Sequence, residues 1–326
     1  MVYGMIEIRT FSYDTIIEKI QNSQSNEVVL VDIINGFNDL YQNSLLERVD
    51  QYAKEIQTNI KVYYHQILPE EVKNNYQNLD IIFDLQNQYK RNFKALNFEV
   101  PDNTKNFNNF LCCFLGSEHV SRQFLCSILA KMKIWNNNFC TKNFKFDIDT
   151  LDGNVRNFIS GDLEKLYNKF FIDQNLKQFY QSINTINYTH CDNKNNFLIL
   201  QEKINSSFVH VIGECIGTSS VPYVTEKFLQ SIITKGLFIG YAQPLWHKTL
   251  FDCYGFKPYN KVFNYNFDYE KNPIVRLVKL MEMLLKYQKL STHDWHDLYH
   301  LEKDNLEYNY HHYRSEDYLK NLAKFI

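Results

Sequence analysis

The stretch FVHVIGECIGTSSVPYVTEKFLQSIITKGLFIGYAQPLWHKTLFDCYGFK, residues 208–257, decides the fold that we expect. Its apolar runs at 208–212 and 237–241 are typical of buried strands. Between them, apolar residues repeat with helical spacing, so a helix should begin near Thr225 and end at Gly236, with Thr225, Ser219 and Ser220 as capping hydroxyls. A strand, a helix and a second strand in this order predict neighbouring parallel strands.

The loop before this helix is a candidate site for an anionic ligand. Open α/β sheets bind their ligands at the carboxyl ends of the strands, where this loop should lie. The first turn of a helix offers unpaired N–H groups, and Lys227 adds a positive charge. Glu226 would be poorly placed against a phosphate, but it could accept hydrogen bonds from sugar hydroxyls. The pair therefore indicates a ligand with hydroxyls and phosphates, such as a nucleotide or nucleotide-sugar.

Each of these residues also has a purely structural interpretation. Charged first turns are common on surface helices, so Glu226 and Lys227 need not contact a ligand. Ser219 and Ser220 could bond a phosphate or simply form the turn. Glu214, directly after the first strand, is either a polar strand end or a contact to a sugar.

Residues 221–259, VPYVTEKFLQSIITKGLFIGYAQPLWHKTLFDCYGFKPY, resemble the C-terminal half of GT-B-type glycosyltransferases of phages, giant viruses and bacteria. In that family a "TEK" helix is followed by a small-residue turn and an "LGF" segment. The Glu-Lys helix also resembles the donor site of fucosyltransferase-like enzymes. Residues 110–135 take the place of a segment from the family's N-terminal half. Arg122 fits that segment, but Gly116 and Ser117 stand where the family has Asn-Arg.

The resemblance implies an α/β fold with two Rossmann-like domains and a C-terminal helical extension. Residues 1–190 would form the acceptor-side domain and residues 195–300 the nucleotide-sugar domain, while 301–326 would pack back on the first domain. The implied activity is metal-independent transfer of a sugar from a nucleotide-sugar to an acceptor hydroxyl. The acceptor would be a glycan or, as in phage enzymes, a modified DNA base. The nucleotide-sugar is a substrate, so no cofactor is expected.

The predicted site combines donor-binding residues with candidates for a catalytic base. The donor-binding residues are Glu214, Ser219, Ser220, Thr225, Glu226, Lys227 and Arg122. An inverting transferase also needs a general base near the acceptor hydroxyl. Asp32, Asp39 and His119 are candidates, because their loops should face the cleft between the domains. A retaining enzyme can lack such a base, and the sequence leaves the stereochemistry open.

The remaining chain predicts further alternating elements. Strands are expected at 6–11, 27–34, 61–68, 109–117 and 195–204, and helices at 45–57, 120–134, 162–182 and 274–291. No Gly-rich dinucleotide motif, P-loop, nucleophile elbow or HExxH motif is present. His293, His296 and His300 share one helical face. We interpret them as a solvated helix end, so no metal site is predicted.

Composition limits the functional class only weakly. A net charge of −2 over 326 residues gives no general attraction to nucleic acid or anionic membrane. No apolar run approaches the ~20 residues that a membrane span needs, and no signal peptide is recognisable. Seven cysteines without a CxxC pair predict reduced thiols in a cytoplasm, which would be the host's for a viral protein. The weak match near 116–122 leaves an alternative, a catalytically inactive GT-B-like binding or scaffold protein.

Overall fold

Two four-stranded parallel sheets form the framework of the protein in the computed structural model. The structure describes residues 6–8, 17–18, 20–22, 27–30, 42–64, 67–83, 104–116, 119–135, 138–142, 200–215, 217 and 222–325. Helices connect and cover the parallel strands, so the predicted α/β class is confirmed. The helix expected at 162–182 lies outside the described residues.

The first sheet contains four strands in chain order. They are β1 (Ile6–Ile8), β2 (Glu27–Leu30), β3 (Ile60–Tyr64) and β4 (Leu79–Phe83), with α1 (Gln42–Glu55) before β3 and α2 (Glu70–Lys73) before β4. Every neighbouring pair is parallel. Along β3, buried and half-buried residues alternate, which explains the alternating sequence pattern. The buried face of α1 packs against β3 and β4 to form a core of its own.

The second sheet has the strand order β6-β5-β7-β8 and is also parallel throughout. Its elements are β5 (Asn109–Leu115), α3 (Val120–Lys131), β6 (Phe139–Lys142), β7 (Ser207–Gly213), α4 (Lys227–Ile233) and β8 (Phe238–Tyr241). All seven residues of β7 are buried. A strand covered on both faces needs apolar side chains on both, which is why this segment reads as a continuous apolar run.

The order of these strands creates a topological switch point. The chain leaves β5 for β6 on one side and later returns to place β7 on the other side of β5. At such a point the loops that follow two adjacent strands run in opposite directions and open a crevice at their carboxyl ends. The loops after β5 and β7 therefore define the expected ligand crevice of this sheet.

The two sheets divide the chain earlier than the sequence predicts. We expected the domains to separate at about 190–195, but β5 and β6 pair with each other and β5 pairs with β7. The chain therefore changes sheets between Phe83 and Asn109. Parallel pairing joins residues such as Leu111 and Val209, which are far apart in sequence, so local patterns cannot assign a strand to its sheet.

The strand predicted at 195–204 is wrong over its described part, because residues 200–205 are helical. Leu200 and Ile204, four residues apart, form a small buried cluster with Cys112 of β5. Spacing of four places both side chains on one helical face. A short apolar run with two such positions does not distinguish a strand from one or two helical turns.

The C-terminal third adds helices to the second sheet. After the short helix α5 (Trp246–Lys248) come α6 (Pro273–Gln288), α7 (Thr292–Leu301), α8 (Lys303–Arg314) and α9 (Asp317–Leu322). The long helix predicted at 274–291 corresponds to α6, which begins at a side-chain cap from Asn272 with a proline in its first turn. No helix in the described ranges is long and apolar enough to cross a membrane.

The last helices pack on the second sheet. The prediction placed 301–326 against the first domain, 1–190, and that placement stays a prediction. In the structure, Glu307 of α8 pairs with Lys235 just after α4 at 2.6 Å. The side chain of Asn309 accepts a hydrogen bond from the backbone N–H of Lys257 at 2.7 Å. Tyr318 stacks on Phe256 with a centroid distance of 6.3 Å. Apolar residues of α8 and α9 belong to the core of the second sheet, so burial of this face holds them there.

The first sheet and its helices contact the second sheet and its helices beside the carboxyl end of β8. Leu245 packs against the core of the first sheet. Lys248 of α5 forms an ion pair with Glu71 of α2 at 3.4 Å. Ile67 and Phe83, from the first half of the chain, belong to the core of the second sheet. Apolar and charged contacts therefore both join the two halves.

The end of α4 differs from its prediction by one residue. Lys235, with φ 50°, takes the left-handed position that ends the helix, one residue before Gly236, where we expected the end. The N–H of Gly236 donates to the carbonyl of Ser231 at 2.7 Å, and that of Lys235 to the carbonyl of Ile232 at 3.1 Å. This pair of bonds is a Schellman ending, in which glycine normally occupies the left-handed residue.

Close packing on β8 gives a test of the fold. In Gly240→Ala, the new Cβ would lie 2.7 Å from the buried ring of Trp246. We expect this overpacking to lower the free energy of unfolding by about 1–3 kcal/mol in urea denaturation. Gly116→Ala is the control, because its Cβ would meet nothing within 4 Å, and it should change stability by less than about 0.5 kcal/mol. Equal effects of the two variants would contradict this packing.

Candidate functional site

Charged and polar side chains meet at the carboxyl ends of β5 and β7, at the switch point. They come from three segments: His119 and Arg122 at the start of α3, Glu214 and Cys215 directly after β7, and Thr225 and Lys227 at the start of α4. We call these six residues the edge cluster. Five of them were predicted site residues, and Cys215 was not.

Glu214 is fully buried and binds the segment that leads into α4. Both of its carboxylate oxygens lie 2.8 Å from the hydroxyl of Thr225, and Oε1 also accepts the backbone N–H of Thr225 at 3.2 Å. Lys227 Nζ lies 3.7 Å from Oε2. Of the two interpretations of Glu214, these contacts support the structural one, because its carboxylate faces protein groups and is shielded from solvent.

Lys227 is the cation of the cluster that reaches solvent. Its ammonium donates to the hydroxyl of Thr225 at 2.9 Å, and its side chain is 24% exposed. Burial opposes its charge, but Cys215, Glu226 and Glu214 hold the pKa of Lys227 above its usual value. Lys227 therefore stays protonated across the physiological pH range.

Arg122 lies beneath the loop and is only 1% exposed. Its Nε donates to the carbonyl of Gly213 at 3.0 Å, and its Nη2 contacts Cys215 Sγ at 3.2 Å. A cation in the first turn of a helix is unfavourable unless it finds acceptors. Here the end of β7 supplies them, so Arg122 supports the loop from behind the crevice.

Cys215 receives donors from several sides. Its sulfur lies 3.2 Å from Arg122 Nη2 and 3.5 Å from Lys227 Nζ. Burial raises the pKa of the thiol, and Glu214 adds to that, but Lys227, Arg122 and a hydrogen bond with His119 outweigh both and lower the pKa to about 7. The sequence showed only a cysteine beside Glu214, and nothing local signalled cations from α3 and α4.

The other predicted residues fall into two groups. Glu226 is the N-cap of α4 but makes no side-chain capping bond, and it is 41% exposed, with Oε1 3.7 Å from Lys227 Nζ. Thr225, which we expected to cap the helix, bonds Glu214 instead. Ser219, Ser220, Asp32 and Asp39 lie outside the described residues.

Arg276, which the sequence analysis missed, anchors the loops around the site. From α6 its Nε donates to the carbonyl of Ala242 after β8 at 2.8 Å, and Nη2 donates to the carbonyl of Gly217 after β7. Nη1 bonds the carbonyl of Lys271 at 3.2 Å. One buried guanidinium thus ties both loops to a long helix. Only its position in the fold reveals this role.

A buried His247–Asp268 pair resembles a catalytic dyad but has a structural role. His247 Nδ1 lies 2.8 Å from Asp268 Oδ1, and His247 Nε2 accepts the backbone N–H of Gly240 at 3.0 Å. Asp268 also accepts the backbone N–H groups of His247 and Lys248. Both ring nitrogens are committed within the protein, so the pair fixes β8 to α5.

Within the part of the chain that the structure describes, no group of three or more His, Cys, Asp or Glu residues is arranged to hold a metal ion. His293 pairs with Asp297 at 3.6 Å and is 85% exposed. The ring of His296 instead packs on Phe107, with a centroid distance of 4.5 Å.

Comparison with known protein families, with curated proteins and with solved structures found no match. The resemblance to GT-B-type glycosyltransferases therefore rests on the sequence motifs alone.

Two acids at equal distance from Lys227 allow a matched test of the cluster. Glu214 is buried and Glu226 is 41% exposed, and each lies 3.7 Å from Lys227 Nζ. We expect Glu214→Gln to lower the free energy of unfolding by about 1–3 kcal/mol, because the buried carboxylate that accepts hydrogen bonds from Thr225 and pairs with Lys227 loses its charge. Glu226→Gln should change it by less than about 0.5 kcal/mol, since exposed pairs contribute little.

Urea denaturation of both variants measures the difference. A loss in Glu226→Gln as large as that in Glu214→Gln would contradict the structural role that we assign to Glu214.

Proposed function

We propose that the chain is a glycosyltransferase that moves a sugar from a nucleotide-sugar to an acceptor hydroxyl. The observation that carries this proposal is the position of Lys227, a partly exposed cation bound by buried Glu214 at the β5/β7 switch point. Parallel α/β sheets bind nucleotides at such points. The motif resemblance at 221–259 adds independent support, because it assigns the same Glu-Lys pair to the donor.

Lys227 and Glu226 have different proposed roles. The ammonium of Lys227 would neutralise the diphosphate that leaves during transfer, and its fixed position means that little reorganisation is needed. The more exposed carboxylate of Glu226 would accept hydrogen bonds from sugar hydroxyls. The chemistry is proposed as metal-independent, since a protein cation supplies the charge.

Fewer described residues bear on the general base and on the acceptor than on the donor. Of the three candidates for a general base, His119 is the one among the described residues. It lies at the start of α3, within the edge cluster. Asp32 and Asp39 stay candidates on sequence grounds. A glycan suits the near-neutral charge of the chain. For a modified DNA base, binding should weaken steeply with salt, because phosphate contacts release counterions.

One observation favours the alternative, a binding or scaffold protein on this fold. Arg122, expected to face the donor, is buried against Gly213 and Cys215. His119 is hydrogen-bonded to the same cysteine. An inactive protein would bind a nucleotide at Lys227 without transferring a sugar.

Nucleotide binding tests the proposed donor site. The probes are UDP, GDP, CMP, ADP and dTDP with their sugars, each with Mg²⁺ and with EDTA, in a thermal-shift assay. A ligand at a hundred times its Kd should stabilise the protein by about 2.7 kcal/mol. We expect one nucleotide to stabilise wild type equally in EDTA and to lose its effect in Lys227→Met.

Lys235→Met is the matched control. Lys235 follows the opposite end of α4 and is also 24% exposed, so this variant should keep the full shift. If no nucleotide stabilises wild type, the donor site is wrong. A nucleotide shift without turnover of any nucleotide-sugar would instead select the binding-protein alternative.

A further inference from the structure

Cys215 differs from the other cysteines that the structure describes. Cys112, Cys113, Cys126 and Cys253 are buried, and Cys140 is half-buried. Burial raises the pKa of the Cys140 thiol well above its usual value, and neighbouring cysteines add to the effect. Cys215 is half-buried and lies in the ligand crevice. Cys215 is therefore only partly covered, and unlike Cys140 it has the cations Arg122 and Lys227 beside its sulfur.

Hydrogen-bond donors from two segments approach its sulfur, and two of them, Arg122 and Lys227, are cations. Arg122 Nη2 and His119 approach from α3, and Lys227 Nζ approaches from α4 at 3.5 Å. The opposing charge is Glu214, whose carboxylate is already bound to Thr225 and Lys227. Fixed cations around a sulfur that is not fully buried favour the thiolate, which is the nucleophilic form of cysteine.

We propose that Cys215 is a nucleophilic thiolate and a site of covalent modification by small electrophiles of the peroxide class. The sulfur attacks one oxygen of hydrogen peroxide, so an S–O bond forms while the O–O bond breaks. Sulfur loses two electrons and becomes a sulfenic acid, and the second oxygen leaves as hydroxide. The reaction replaces the anion between Arg122 and Lys227 with a neutral group.

This inference is independent of the proposed glycosyltransferase activity. It requires the thiol, its cations and an electrophile, and it would hold for a binding protein on the same fold. Its test accordingly uses neither nucleotide nor sugar.

The first measurement is the alkylation rate of the native protein by iodoacetamide from pH 5 to 10, with the modified peptides mapped by mass spectrometry. We expect Cys215 to react first among the described cysteines, with a midpoint near pH 7. Cys113 and Cys126 should stay unmodified, and their protection reports that the protein is folded. A midpoint near the usual thiol value of 9.0 would overturn the proposal.

Variants of Lys227 test whether its charge lowers the midpoint of alkylation of Cys215. Lys227→Met should raise the midpoint by about one pH unit or more, because a positive charge near the sulfur is lost. Lys227→Arg should keep it low, and Lys235→Met should leave it unchanged. If Cys215 in Lys227→Met reacts with the same midpoint as in wild type while Cys113 and Cys126 stay protected, the role that we assign to Lys227 is wrong.

The second measurement is oxidation. After treatment with hydrogen peroxide, dimedone should add to Cys215 in wild type, and the adduct should be absent from Cys215→Ser. Iodoacetamide labelling without any dimedone adduct on Cys215 would overturn the peroxide step.

Discussion

The buried carboxylate of Glu214 is the constraint around which the functional edge of the second sheet is built. A carboxylate at the end of a fully buried strand is costly unless donors surround it. Thr225 donates hydrogen bonds to the carboxylate and Lys227 places a positive charge 3.7 Å from it, so the chain must return to the strand end before α4 begins. The position of Lys227 therefore follows from folding itself and needs no ligand to create it.

Two buried arginines complete this edge. The carboxyl ends of parallel strands leave carbonyls that need donors. Arg122 binds the carbonyl of Gly213, and Arg276 binds those of Gly217 and Ala242. A guanidinium has five donors in a rigid plane, so it can join segments that a lysine could not. The crevice is thus bordered by loops held from beneath, while Lys227 and Glu226 reach solvent.

Local sequence patterns predicted most elements and the parallel pair β7–β8, but not the assembly of distant segments. The continuous apolar runs of β7 and β8 and the helical spacing before Ile233 are local properties, and all were confirmed. The pairing of β5 with β7, and the contacts of Arg276 with Gly217, join residues distant in sequence. No local pattern encodes them. Glu214 and Lys227 were identified as site residues, but the burial that makes Glu214 structural depends on the folded sheet.

The sulfur of Cys215 is a second group, besides the carboxylates, that can balance the positive charge at this edge of the sheet. A thiolate and a phosphate are both anions, and both are stabilised by the same cations. In the free protein, Arg122 Nη2 and Lys227 Nζ both contact the sulfur. The proposed thiolate would balance the positive charge of these two groups, which water solvates only in part. A phosphate that binds Lys227 would oppose the thiolate and favour the neutral thiol. A bound phosphate would then take the place of the thiolate beside Lys227, while Arg122, which is buried, would keep its contact with the sulfur.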